Sequence, residues 1–139
     1  MSMQYDTQHP VPMPPILWEN TGFWEGIKRH ELVFQRCRDC GAWLHPPRPA
    51  CPKCRSLEKE WAPSSGKGTV YSFVTYLESP SPSFKAPYSV VLVELEEGVR
   101  LVSNMVDIKP EEIYIGMPVE VIFDDIAEEL TLPKFRKVG

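Results

Sequence analysis

The sequence predicts a mainly β protein: one or two short helices near the N-terminus, then a cysteine-bearing ribbon, then a small closed barrel of five strands. Three observations carry this. All four cysteines fall in the stretch CRDCGAWLHPPRPACPKC as two C-x2-C pairs ten residues apart. Beyond it, runs rich in β-branched and aromatic residues alternate with polar turns. Fifteen prolines among 139 residues favour strands, turns and extended connections over long helices.

Taken in order, residues 1–13 are polar and proline-bearing and read as a flexible arm. Residues 14–33 form an N-terminal helical segment, in which Ile16, Leu17, Phe23, Trp24 and Ile27 fit one or two short helices. Pro14 and Pro15 suit a first turn, and Asn20 or Thr21 can cap the second helix. ELVFQRC reads as a short strand that delivers the first thiol, and the ribbon occupies residues 34–60.

The barrel fills residues 61–139. GTVYSFVTYL opens it; residues two apart share a strand face, so Tyr71 and Phe73 are placed together toward the core and Tyr76 opposite. ESPSPSFKAP is a loop no strand can contain. YSVVLVEL and VRLVSNMV flank the turn EEG as a hairpin, KPEEIYIGM is a helical turn or loop, and PVEVIF alternates as a fourth strand. DDIAEE reads as an acidic turn, and LTLPKFRKV as a fifth strand bent or ended near Pro133. Five strands with one longer connection suit a barrel of the OB type, and an SH3-like barrel fits the count nearly as well.

Two C-x2-C turns each aim two sulfurs inward, completing a four-thiolate shell suited to one Zn2+ held by Cys37, Cys40, Cys51 and Cys54. Gly41 permits a positive φ after the first pair, and Pro52 stiffens the second turn. A catalytic zinc keeps a position open for water or substrate; four thiolates fill the shell, so the ion is read as structural. Iron in a rubredoxin-type carrier is the competing reading. His45, between the pairs, can replace a cysteine or stand aside as a partly buried histidine, and the second reading is preferred.

Composition narrows the function. With 15 basic and 19 acidic residues the net charge is −4 and the pI about 5.4, against the basic excess of nucleic-acid modules. The N-terminus shows no basic region followed by an apolar core, and no run approaches a membrane span, so a cytoplasmic chain is expected. His9, His30 and His45 are scattered, and the cysteines are committed to metal, which leaves no free thiol nucleophile. The acidic pairs sit in turns, and SSGKG lacks the phosphate-loop pattern, so Lys67 remains only a candidate contact for a phosphate. Trp18, Phe23 and Trp24 carry much apolar surface for a short segment, and Phe84 with Lys85 stands in the Pro/Ser loop; these are candidate partner contacts.

The stretch FWEGIKRHELVFQRCRDCGAWLHPPRPACPKCRS, followed by LEKEWAPSSGKGTVYSF, PYSVVLVELEEGVRL, IGMPVEVIF and LPKF, resembles the DUF35 family of acyl-CoA-associated proteins. The resemblance runs from about Pro14 to Phe135. It implies a helical piece, a rubredoxin-like zinc ribbon and a C-terminal OB-fold. It further implies a non-catalytic accessory subunit that pairs with a thiolase-like enzyme or aldolase, or with an enoyl-CoA hydratase-type protein, and meets acyl-CoA through the complex. Arg55 departs from the glycine common after the last cysteine, which bears on the geometry of the second turn. A single-stranded nucleic-acid binder built on the same two folds is the alternative.

Overall fold

The computed structural model describes Val11, Pro14 and residues 16–138; the arm expected over residues 1–13 lies, Val11 apart, outside the described residues. The helical segment resolves into one helix, α1 (Thr21–Lys28). Asn20 holds the N-cap position without a side-chain cap bond. Its Oδ1 instead accepts from the Leu17 N–H at 2.8 Å, while the Thr21 hydroxyl donates to the Leu17 carbonyl, so the turn before the helix is tied down. Phe23 and Ile27, four residues apart, share the buried face of α1.

Strand β1 (Val33–Cys37) is the middle of a three-stranded sheet, between β2 (Trp43–Leu44) and β3 (Lys59–Pro63). The barrel follows: β4 (Lys67–Tyr76), β5 (Tyr88–Leu95), β6 (Arg100–Met105), β7 (Pro118–Ala127) and β8 (Leu130–Lys137), with a 3-10 turn at Pro110–Glu112 between β6 and β7. The strand order is β4-β5-β6-β8-β7, with β7 pairing back onto β4. Every pairing is antiparallel except β6 with β8, which is parallel and joined at the one pair Met105↔Phe135. This is the OB arrangement, and it decides between the two barrels that strand counting leaves open.

Three local expectations are corrected. The register shifts between Val70 and Ser72, a bulge that turns Tyr71 out to solvent while Phe73 packs on the core. Asp124 and Asp125 are not in a turn: β7 continues to Ala127, because Asp124 pairs with Lys134 and Asp125 accepts from the Thr131 hydroxyl at 2.5 Å across the ladder. Pro133 does not end β8, which pairs with β7 on both sides of it. The proline is tolerated because its missing N–H falls on the side where β6 makes almost no ladder.

Among the described residues, one main core joins the ribbon to the barrel. Phe23, Ile27, Leu32 and Phe34, from α1 to β1, are buried in the same cluster as Val70, Val91, Val119 and Phe135 of the barrel. A smaller cluster of Cys37, Leu44 and Cys51 lies under the cysteine turns.

Candidate metal centre and apolar surfaces

The two cysteine turns are built alike. Gly41 N–H donates to the Cys37 carbonyl at 3.0 Å, and Arg55 N–H to the Cys51 carbonyl at 2.8 Å. Both residues take left-handed backbone, Gly41 at φ +76 and Arg55 at +64, so the second turn keeps its geometry without glycine. The sulfurs of Cys37, Cys40, Cys51 and Cys54 all lie within 4.8 Å of one another. Cys37 Sγ is 3.5 Å from Cys54 Sγ, and Cys40 Sγ 3.6 Å from Cys51 Sγ. A tetrahedron with metal–sulfur bonds of about 2.3 Å has edges of roughly 3.8 Å, so the set fits one ion with all four positions filled by protein.

The acidity of the thiols agrees. Backbone N–H groups of Cys54 and Lys53 aimed at the Cys51 sulfur bring that thiol down to about 6, and the Cys40 and Asp39 amides lower Cys37. Cys54 receives the Ser56 amide, which lowers it, but the Cys37 sulfur and burial outweigh this and push it up to about 12. Cys40, helped by the Ala42 amide, is still raised by burial and the Cys51 sulfur. Four thiolates this close do not all ionise without a cation among them. Cys37 and Cys51 are buried, whereas Cys40 and Cys54 are exposed.

The other candidate contacts are not brought to one place. Trp18 is 81% exposed in the turn before α1, whereas Phe23 is 5% exposed within the core. Trp24 is half-buried and meets Phe23 edge-on, with ring centroids 5.2 Å apart. Phe84 is half-buried near Tyr88, at 5.8 Å between ring centroids. Lys67 begins β4, and Lys85 lies in the loop beyond that strand's other end.

Two features go beyond the sequence reading: a surface that it passed over, and the surroundings of a histidine that it read only as partly buried. The first is the outward side of β4–β6. Val74 (53% exposed) and Val102 (66% exposed) flank the part-exposed Val90 and Leu92, and Tyr76 stacks toward Tyr88 at 4.9 Å. Arg100 at its margin is already engaged, with its guanidinium 3.8 Å from the Tyr71 ring centroid and its Nε donating to Glu94 at 3.1 Å. The ladder sets Val90 beside Val74 and Leu92 beside Val102. The second is His45. It stands outside the sulfur set, wedged by Phe23 and Phe34 at ring distances of 5.4 and 5.1 Å. Its Nδ1 is buried without a hydrogen-bond partner, and burial lowers the imidazole pKa.

Cysteine ribbon, shared core and OB barrel together define a two-part metal-ribbon/OB protein. Residues 24–60 match the family description "ChsH2, rubredoxin-like zinc ribbon domain", and residues 61–124 match "ChsH2, C-terminal OB-fold domain". The chain is 45% identical over 109 residues to a DUF35 domain-containing scaffold protein of Methanocaldococcus jannaschii, covering 76% of this chain and 77% of the relative. It is 46% identical over 125 residues to a probable enoyl-CoA hydratase alpha subunit of Thermomonospora curvata, where it covers 90% of itself but spans only 39% of the relative. It is 33% identical to the benzoylsuccinyl-CoA thiolase subunit BbsA of Thauera aromatica, covering 76% of this chain and 74% of that one. Among solved structures, a chain of the Ltp2-ChsH2(DUF35) aldolase superposes with a TM-score of 0.86 at 45% identity, over 90% of this chain and 98% of that chain. The chain belongs to the DUF35 family. No helix among the described residues is long and apolar enough to cross a membrane.

Proposed function

We propose that this chain is a non-catalytic subunit that assembles with a thiolase-like enzyme or aldolase acting on acyl-CoA, with one structural Zn2+ bracing its ribbon. The ion's ligands are Cys37, Cys40, Cys51 and Cys54; when bound, it supplies shape rather than a reacting position, because all four sites of its shell belong to protein. Trp18, Phe23, Trp24, Lys67, Phe84 and Lys85 are candidate contacts to the partner or its thioester. An enoyl-CoA hydratase-type protein is a further candidate partner, in keeping with the relative of Thermomonospora curvata.

The observation that carries the reading is the apolar outward side of β4–β6. On an OB barrel this strand region is a usual binding surface, and for single-stranded nucleic acid it pairs stacking rings with a basic groove. Here it presents Val74, Val90, Leu92 and Val102, and its Arg100 is held by Glu94 and Tyr71. Contiguous aliphatic surface of this kind matches a protein interface. The likeness to the DUF35 chain of an aldolase and to a thiolase subunit supports the same class of partner.

The test is co-expression with a thiolase-like enzyme encoded beside this chain. The two are expected to co-purify, with one zinc per chain by elemental analysis, and turnover of an acyl-CoA is expected to need both. Salt-sensitive retention on single-stranded DNA, with no effect on any such enzyme, favours the nucleic-acid reading instead.

A further inference from the structure

We propose that the seam between β6 and β8 receives an extended, uncharged segment of the partner enzyme as an added strand. This rests on the partner reading above and adds to it the place where that partner's backbone binds.

The barrel closes at this seam through one ladder pair, Met105↔Phe135, with Val106 N–H donating to the Phe135 carbonyl at 2.9 Å. The reason lies in strand parity and in one proline. Leu95 N–H donates to the Val99 carbonyl, so the hydrogen-bonded pairs with β5 continue through Leu101, Ser103 and Met105. Val102 and Asn104 therefore turn their backbone groups away from β5, toward β8. A parallel ladder continued beyond Met105↔Phe135 sets the Val102 carbonyl against the N–H of residue 133. That residue is Pro133, which has no N–H. The ladder stops there, and the Ser103 hydroxyl bonds the Pro133 carbonyl at 2.6 Å instead. Val102 keeps its main-chain groups without a ladder partner on that side.

Beside this edge opens a cleft of about 350 Å³ between α1, the His45 turn and the two strands, with Phe23, Trp24, Leu101 and Leu132 among its walls. None of its described lining residues carries a carboxylate, an ammonium or a guanidinium group. His45 lines it too, kept neutral by burial and with Nδ1 unpartnered. An unpaired buried polar atom is costly, so a polar group arriving at this wall is favoured. An extended backbone meets each demand. It offers N–H and C=O groups to Val102, a further polar group to His45, and an apolar side chain to the cleft, as in strand addition to an exposed edge. The uncharged walls select neutral residues for that segment.

The experiment is amide hydrogen exchange read by NMR on the full chain, alone and in complex with the co-expressed thiolase-like enzyme. Alone, the Val102 amide is expected to exchange at least tenfold faster than those of Leu101 and Ser103; in the complex it is expected to slow at least tenfold. Val102→Pro removes an N–H that β5 does not use, so the barrel is retained while the affinity of the complex falls at least tenfold. Val102→Thr trims the same apolar face but keeps the N–H, and is expected to lose less than a third of the affinity that Val102→Pro loses. A complex in which Val102 still exchanges fast and Val102→Pro binds unchanged overturns this inference and leaves the functional reading standing. Absence of any complex overturns both. Protection of Val102 in the isolated chain assigns the seam to the chain's own residues, and protection by hexanoyl-CoA alone assigns it to an acyl ligand; either result overturns the inference.

Discussion

Gly68 passes so close to the carbonyl of Glu94 that a methyl group on it would stand 2.3 Å from that oxygen and 3.0 Å from the Leu95 α-carbon. Both obstacles are backbone and cannot swing away. Gly68→Ala is expected to lower stability by about 1–3 kcal/mol, as over-packing typically does, read as a lower midpoint in urea with an unchanged slope.

Arg55 carries a left-handed backbone where the first turn has Gly41. A residue with a Cβ loses roughly 1–2 kcal/mol in that region, and glycine does not. Arg55→Gly is expected to stabilise the ribbon by up to about 1 kcal/mol after the added freedom of the unfolded chain is counted. A higher thermal midpoint with unchanged zinc content checks this.

Cys51 is the buried member of the second pair, and its sulfur accepts the Lys53 N–H. Structural zinc contributes on the order of 10–16 kcal/mol in small ribbons, more than a typical domain's whole stability. Cys51→Ser, or a strong chelator, is expected to abolish exchange protection over β1–β3, and added zinc to restore it only after chelation.

Val74 lies on the apolar outward side of β4 and is 53% exposed. Val74→Asp is expected to change folding stability by no more than about 0.5 kcal/mol, as surface substitutions do. Capture of the proposed thiolase-like partner is expected to fall at least tenfold. Pull-down beside a thermal melt separates the two effects.

Lys134 is fully buried and ion-paired with Asp124; burial brings its ammonium down to about 8 from an ordinary 10.5 and pushes the Asp124 carboxyl up. The native chain sheds this proton near pH 8, while the unfolded chain holds it until about 10.5. Between those values the unfolded state binds more protons, so stability rises with pH across that window. Lys134→Met is expected to flatten the slope there, measured as urea midpoints at pH 7.5, 9 and 10.5.

What the sequence revealed depends on how local each cause is. The strand YSVVLVEL is legible because every second residue of Tyr88–Leu95 is buried, and the sulfur set because both turns repeat one spacing. Tyr71 was misplaced because a bulge adds one residue and reverses the face, and nothing in GTVYSF marks it. Asp124 and Asp125 resembled a turn because their partners, Lys134 and Thr131, lie on another strand. The ring neighbours of His45 are silent in sequence for the same reason: Phe23 and Phe34 come together around it only when α1 folds onto β1.

Phe34 of the ribbon sheet and Phe135 of the barrel are packed into one interior, which ties ribbon to barrel with no joint among the described residues. The chain behaves as a stiff bracket: whatever grips the sulfur-bearing end also sets the bearing of the barrel. An assembly built on it would keep a constant span between its mounting points throughout turnover.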